Sequence, residues 1–77
     1  MNSIYYRDYH VSATSLKGHA DQRWLGEVML VRACGKPATA QSFAVSNTFT
    51  TKAEAIRNCL LFGRQIIDGE YRGLTAP

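Results

Sequence analysis

Residues 51–68 carry the start, the stop and the buried face of a single helix. Thr51-Lys52-Ala53-Glu54 is a capping box: the Thr51 hydroxyl accepts from the Glu54 backbone N–H, and the Glu54 carboxylate reaches back to the cap. Gly69 directly after Asp68 supplies the left-handed terminator. Between them Ala53, Ile56, Leu60, Gly63 and Ile67 recur at alternating spacings of three and four. Ala55, Cys59, Phe62 and Ile66 form a second stripe beside the first. Two adjacent stripes make a broad apolar face, so the pattern predicts a helix over 52–68 lying on a large partner. Arg57, Asn58, Leu61, Arg64, Gln65 and Asp68 are left on the outer side.

What precedes the helix alternates with a period of two, as half-buried strands do. The periodicity predicts strands over 4–14, 23–32 and 40–47, separated by the polar stretches 15–22 and 34–39. In the first, Tyr9, Val11 and Ala13 share a face with Tyr5 and Arg7, opposite Tyr6, Asp8, His10 and Ser12. In the second, Trp24, Gly26, Val28 and Leu30 oppose Arg23, Leu25, Glu27, Met29 and Val31; in the third, Gln41, Phe43 and Val45 oppose Ala40, Ser42, Ala44 and Ser46. Short connections favour neighbours in sequence becoming neighbours in space. The expected fold is therefore α+β, a three-stranded antiparallel meander with one C-terminal helix on one face (β-β-β-α). The helix covers Tyr9, Val11, Trp24, Val28, Leu30, Phe43 and Val45. Gly26 and Gly63 lack side chains and let helix and sheet approach near Trp24. The tail, 70–77, is expected to be flexible, with Tyr71 and Leu74 able to fold back on the second stripe.

With 77 residues there is room for one domain, 1–77. A domain of this size buries only about 60% of its unfolded surface, so its core is thin unless something is added to it. Cys34 and Cys59 match no zinc or redox spacing, which favours a reduced, intracellular chain. Met1–Tyr9 has no apolar signal core, and the longest apolar stretch contains Glu27 and Arg32, so a cytoplasmic protein with no membrane span is expected. The net charge of +3 is scattered rather than blocked.

One helix covers one sheet face. The other presents Tyr6, Leu25, Met29 and Val31, more apolar than a solvated face requires, and these four are the candidate interface. Homodimerisation through this face, or through an open edge strand, would also thicken the core. Chemistry finds little support. His10 and His19 have no cysteine partner at ligand spacing, Asp8, Asp21 and Glu27 make no acid–base pair, and the glycines form no phosphate loop. No cofactor, metal or catalytic residue is expected, and the chain is read as a non-enzyme. Nucleic acid is the other partner class: Arg57 and Arg64 lie on the outer side of the helix and Arg23 opens a strand. Glu54 and Asp68 stand at helical spacing from those two arginines, which predicts intrahelical ion pairs instead.

Tyr6-Arg7-Asp8-Tyr9, Arg23-Trp24, Phe49-Thr50-Thr51-Lys52-Ala53-Glu54-Ala55 and Gly63-Arg64-Gln65-Ile66-Ile67-Asp68-Gly69 resemble a group of short, uncharacterised bacterial proteins built as three strands and a helix. The likeness spans nearly the whole chain. It rests on a cap, a tryptophan and a helix stop, so it implies a fold and carries no activity. More loosely, β-β-β-α is similar to the sheet and last helix of double-stranded-RNA-binding domains, and to HicB-type antitoxin domains. Here no helix precedes the sheet, Lys52 stands without a lysine cluster, and a fourth strand is lacking unless 71–74 supplies it. The functional expectation is a small self-associating interaction module, the alternative being a weak nucleic-acid-binding or antitoxin-like regulator.

Overall fold

The alternation between residues 3 and 17 is interrupted at Arg7-Asp8, and that interruption turns one expected strand into two. The computed structural model describes residues 2–18, 22–32 and 39–77. It contains β1 (Ser3–Tyr6), β2 (Tyr9–Lys17), β3 (Trp24–Arg32), β4 (Ala40–Phe49) and α1 (Lys52–Ile67). The strands form one antiparallel sheet in the order β1-β2-β3-β4. The class is as expected, but the sheet has four strands where the sequence pattern indicates three. The extra strand comes from the N-terminus, not from 71–74, which forms turns and coil.

Arg7 and Asp8 have φ of 49° and 69°. Two consecutive positive φ values make a two-residue hairpin of the primed type, whose twist matches that of the strands it joins. Such loops usually advertise themselves with Asn-Gly or Asp-Gly, and this one contains no glycine. Reversing the chain there also reverses the faces. Tyr6 pairs with Tyr9 and Ile4 with Val11, so Tyr6 lies on the helix side and Tyr5, opposite His10, on the open side. The expected placement of Tyr6 on the open face is thus corrected.

Strands β2 and β3 pair continuously from Tyr9–Arg32 to Lys17–Trp24. Val11, Ala13, Val28 and Leu30 are buried under Ile56, Cys59 and Ile66 of α1. Complete burial of a branched aliphatic side chain is worth about 1.5–3 kcal/mol, so Val11, Val28, Leu30 and Ile66 dominate the stability of the domain. Two glycines set the helix-to-sheet distance. A Cβ on Gly26 would collide with the Cys59 sulfur, and one on Gly63 would lie 2.6 Å from Val11 Cγ1. The close approach is as expected, but Gly63 sits over Val11, Val28 and Leu30 rather than beside Trp24.

Trp24 itself is half-buried and lies outside the buried cluster, where the alternation places it in the covered face. The cause is an irregularity in β4: Gly26 pairs with Val45 but Trp24 with Phe49, so β4 advances four residues while β3 advances two. The bulge turns Phe49 into the buried position beside Gly26 and extends β4 two residues past its expected end at 47. Trp24 is left at the rim, with Lys17 Nζ 6.0 Å from its ring centre.

Helix α1 starts as its cap predicts, with Thr51 Oγ1 accepting from the Glu54 N–H at 3.1 Å. The Glu54 carboxylate turns instead to the Thr50 hydroxyl, at 2.9 Å. At the other end the Gly69 N–H donates to the Ile66 carbonyl and the Glu70 N–H to the Gln65 carbonyl, with Gly69 at φ 76°, which is a Schellman stop. The tail then packs on the domain rather than trailing away. Tyr71 meets Phe62 edge-on at 5.0 Å, Leu74 and Ala76 pack on the core, and the Tyr9 hydroxyl donates to the Pro77 carbonyl at 2.6 Å.

Tyr6 is the joint between the hairpin and the end of α1. Its hydroxyl donates to the Asp68 carboxylate, 2.9 and 2.8 Å from the two oxygens, and Arg64 lies over its ring at 4.9 Å. Arg7 reaches the same carboxylate at 3.2 Å. A carboxylate at a helix C-terminus opposes the helix dipole, and these donors offset that repulsion. Tyr6→Phe is expected to lower stability by about 1 kcal/mol, the usual worth of a partly exposed hydrogen bond to a charge. Urea unfolding of the variant checks it, and in an Asp68→Ala background the same substitution should cost almost nothing.

Candidate interaction surface

The open face is defined by the pairing register. Reading across the sheet, Tyr5, His10, Val31 and Ala40 form one row, and Ser3, Ser12, Met29 and Ser42 the next. Thr14, Glu27 and Ala44 follow, and Leu16 and Leu25 face each other at the far end. Of the large hydrophobic side chains left exposed, Tyr5 (79%), Leu16 (72%), Leu25 (45%) and Met29 (41%) all belong to this face. Glu27 is the single formally charged side chain among these described residues. Two apolar ends are thus separated by a serine row that carries Met29 and by the Thr14–Glu27–Ala44 row. A shallow depression of about 530 Å³ opens between Thr14, Leu16, Leu25, Glu27 and Ala44.

Leu25, Met29 and Val31 are therefore brought together as the alternation predicts, and Tyr6 is not. Its place is taken by Tyr5, which stacks on His10 with ring centres 4.9 Å apart. Leu16 is the residue that sequence reasoning missed. It falls in the stretch read as a polar loop, yet Ser12, Thr14 and Leu16 continue the alternation of β2 to Lys17. That continuation was the available signal. Glu27 sits between Thr14 and Ala44 in the register.

The three basic candidates are dispersed. Arg23 Nε donates to Thr48 Oγ1 at 2.6 Å, just before α1 begins, while Arg64 covers Tyr6 near its end. Arg57 is exposed and borders a second shallow depression with Asn2, Lys52, Ala53, Ile56 and Leu60. The expected intrahelical ion pairs are not formed, since Glu54 bonds to Thr50 and Asp68 to Arg7 and Tyr6. Cys59 is fully buried, and desolvation pushes its thiol pKa upward, so it behaves as a small core residue rather than a nucleophile. His19, Asp21 and Cys34 lie outside the described residues.

No family model, curated protein or solved structure matches the chain. No helix among the described residues is long and apolar enough to cross a membrane.

Proposed function

We propose that the chain is a small non-enzymatic interaction module that self-associates through the open face of its sheet. The observation carrying this reading is the gathering of Tyr5, Leu16, Leu25 and Met29 on a face whose paired rows hold one formal charge among the described residues. Exposed apolar patches, here two on one face either side of the Glu27 row, mark contacts between proteins. From strand spacing and rise, the face measures roughly 500 Å², below the ~800 Å² per partner of a standard interface, which predicts a weak and concentration-dependent dimer.

Electrostatics positions the symmetry axis. A twofold axis through the Glu27 row would oppose two carboxylates, whereas one near Met29 sets Met29, Val31 and Tyr5 against their equivalents. Stacked at the usual ~10 Å between sheets, the two copies supply each other with the second layer that a thin domain lacks. Nucleic acid is the less supported reading, because Arg23 and Arg64 are engaged within the chain and only Arg57 of the three is without a hydrogen bond, ion pair or ring contact among the described residues.

The test is sedimentation equilibrium on wild type and Met29→Glu. Met29 is 41% exposed, so the variant should fold. Wild type is expected to gain mass with rising concentration, and Met29→Glu to stay below it at every concentration of the series because the face contact is lost. Identical masses for the two would remove the interface.

A further inference from the structure

We infer that the outer edge of β4 is a strand-pairing site for β4 of a second copy of the chain. The sheet has two edges, and they differ. β1 has four residues and ends in Arg7-Asp8, a short strand closed by charge. β4 has ten residues, Ala40–Phe49, with no charged side chain and no proline. Edges of soluble proteins are ordinarily blunted by such charges, prolines or shortness. Over 40–45, before the bulge, β4 is regular and lacks the charge, proline and brevity that blunt an edge.

The occupant follows from the chemistry of that edge. Alternate residues of an antiparallel edge strand point both N–H and C=O outward, and an extended backbone is the group that matches such a row. A second β4 meets it without charge repulsion, because neither strand carries a charge. A twofold axis normal to the sheet makes the pairing antiparallel and keeps both helices on one side. Phe43 and Val45, only half-buried beneath α1, then gain the partner copy's equivalent side chains as neighbours. A depression of about 470 Å³ between Val45, Phe49, Asn58, Phe62, Tyr71 and Leu74 lies along the same flank and is narrowed by the incoming strand. Two sheets become one of twice as many strands, and their open faces join into a surface about twice as large. The inference rests on self-association but not on which face carries it.

Amide hydrogen exchange across residues 40–45, followed over a dilution series in wild type and in Met29→Glu, tests the edge separately from the face. Edge pairing slows every second amide about tenfold at high concentration, in both proteins, because only outward N–H groups gain a partner. A uniform slowing, or one lost in Met29→Glu, reports the face contact alone and overturns the edge. Concentration-independent exchange in both proteins also overturns it, and the sedimentation of wild type then shows whether the face contact survives. Alternating protection together with an unchanged mass in Met29→Glu keeps the edge and removes the face.

Discussion

Gly26→Ala is expected to destabilise the domain by about 1–3 kcal/mol, the range for one extra carbon forced into a packed core. The added Cβ would overlap the Cys59 sulfur, which is fully buried and has no free direction to move. Alanine is also the better strand residue on entropy grounds, so the loss must come from packing. Cys59→Ala alone should cost about 1–2 kcal/mol, because removing a buried heavy atom leaves the space above Gly26 unfilled. Combined, the two substitutions exchange occupants of one volume: the methyl introduced at position 26 enters the space vacated by the sulfur. Urea unfolding of the four proteins should show the double variant near wild type, with a coupling of at least about 2 kcal/mol in place of additive losses. Additive losses would mean that helix and sheet do not meet at this point.

Gly63→Val should largely unfold the protein. Its Cβ would fall 2.6 Å from Val11 Cγ1, 3.0 Å from Val28 Cγ2 and 3.2 Å from Leu30 Cδ2. These neighbours have no exposed surface, and their displacement would lift α1 from the sheet. At roughly 0.05–0.15 kcal/mol per residue, a chain of this length holds about 4–12 kcal/mol in total, so a loss above about 3 is a large share of it. Gly63→Ala separates packing from propensity. A mid-helix glycine costs about 1 kcal/mol relative to alanine, so helix propensity alone predicts stabilisation. Contact with Val11 predicts the reverse, a net loss measured as a lower urea midpoint at unchanged slope.

The features legible in the sequence are those set by periodicity and caps. The faces of β3 and β4 follow from a period of two, and α1 begins and ends where Thr51 and Gly69 require. Two features escaped because their causes are not periodic. The Arg7-Asp8 turn holds positive φ without glycine, helped by the Asp68 ion pair from the far end of the chain. The bulge that seats Phe49 beside Gly26 inserts residues into β4 without any glycine or proline to mark them. The tail is an intermediate case: the return of Tyr71 and Leu74 to the second stripe follows from their apolar character, whereas the docking of Ala76 and Pro77 is a tertiary event. The surface was legible to the same extent: Leu25, Met29 and Val31 follow from alternation within β3, while Tyr5 replaces Tyr6 because the hairpin reverses the parity of β1.

One helix covering one side of the sheet leaves two populations of methyl groups, and their response to dilution tests the account most directly. Carbon-resolved methyl spectra of the wild-type protein should show Met29, Leu25, Leu16 and Val31 shifting as the dimer dissociates, while Val11, Val28 and Leu30 hold their positions. Shifts confined to the buried set, or no shift in either at concentrations where the mass changes, would contradict it.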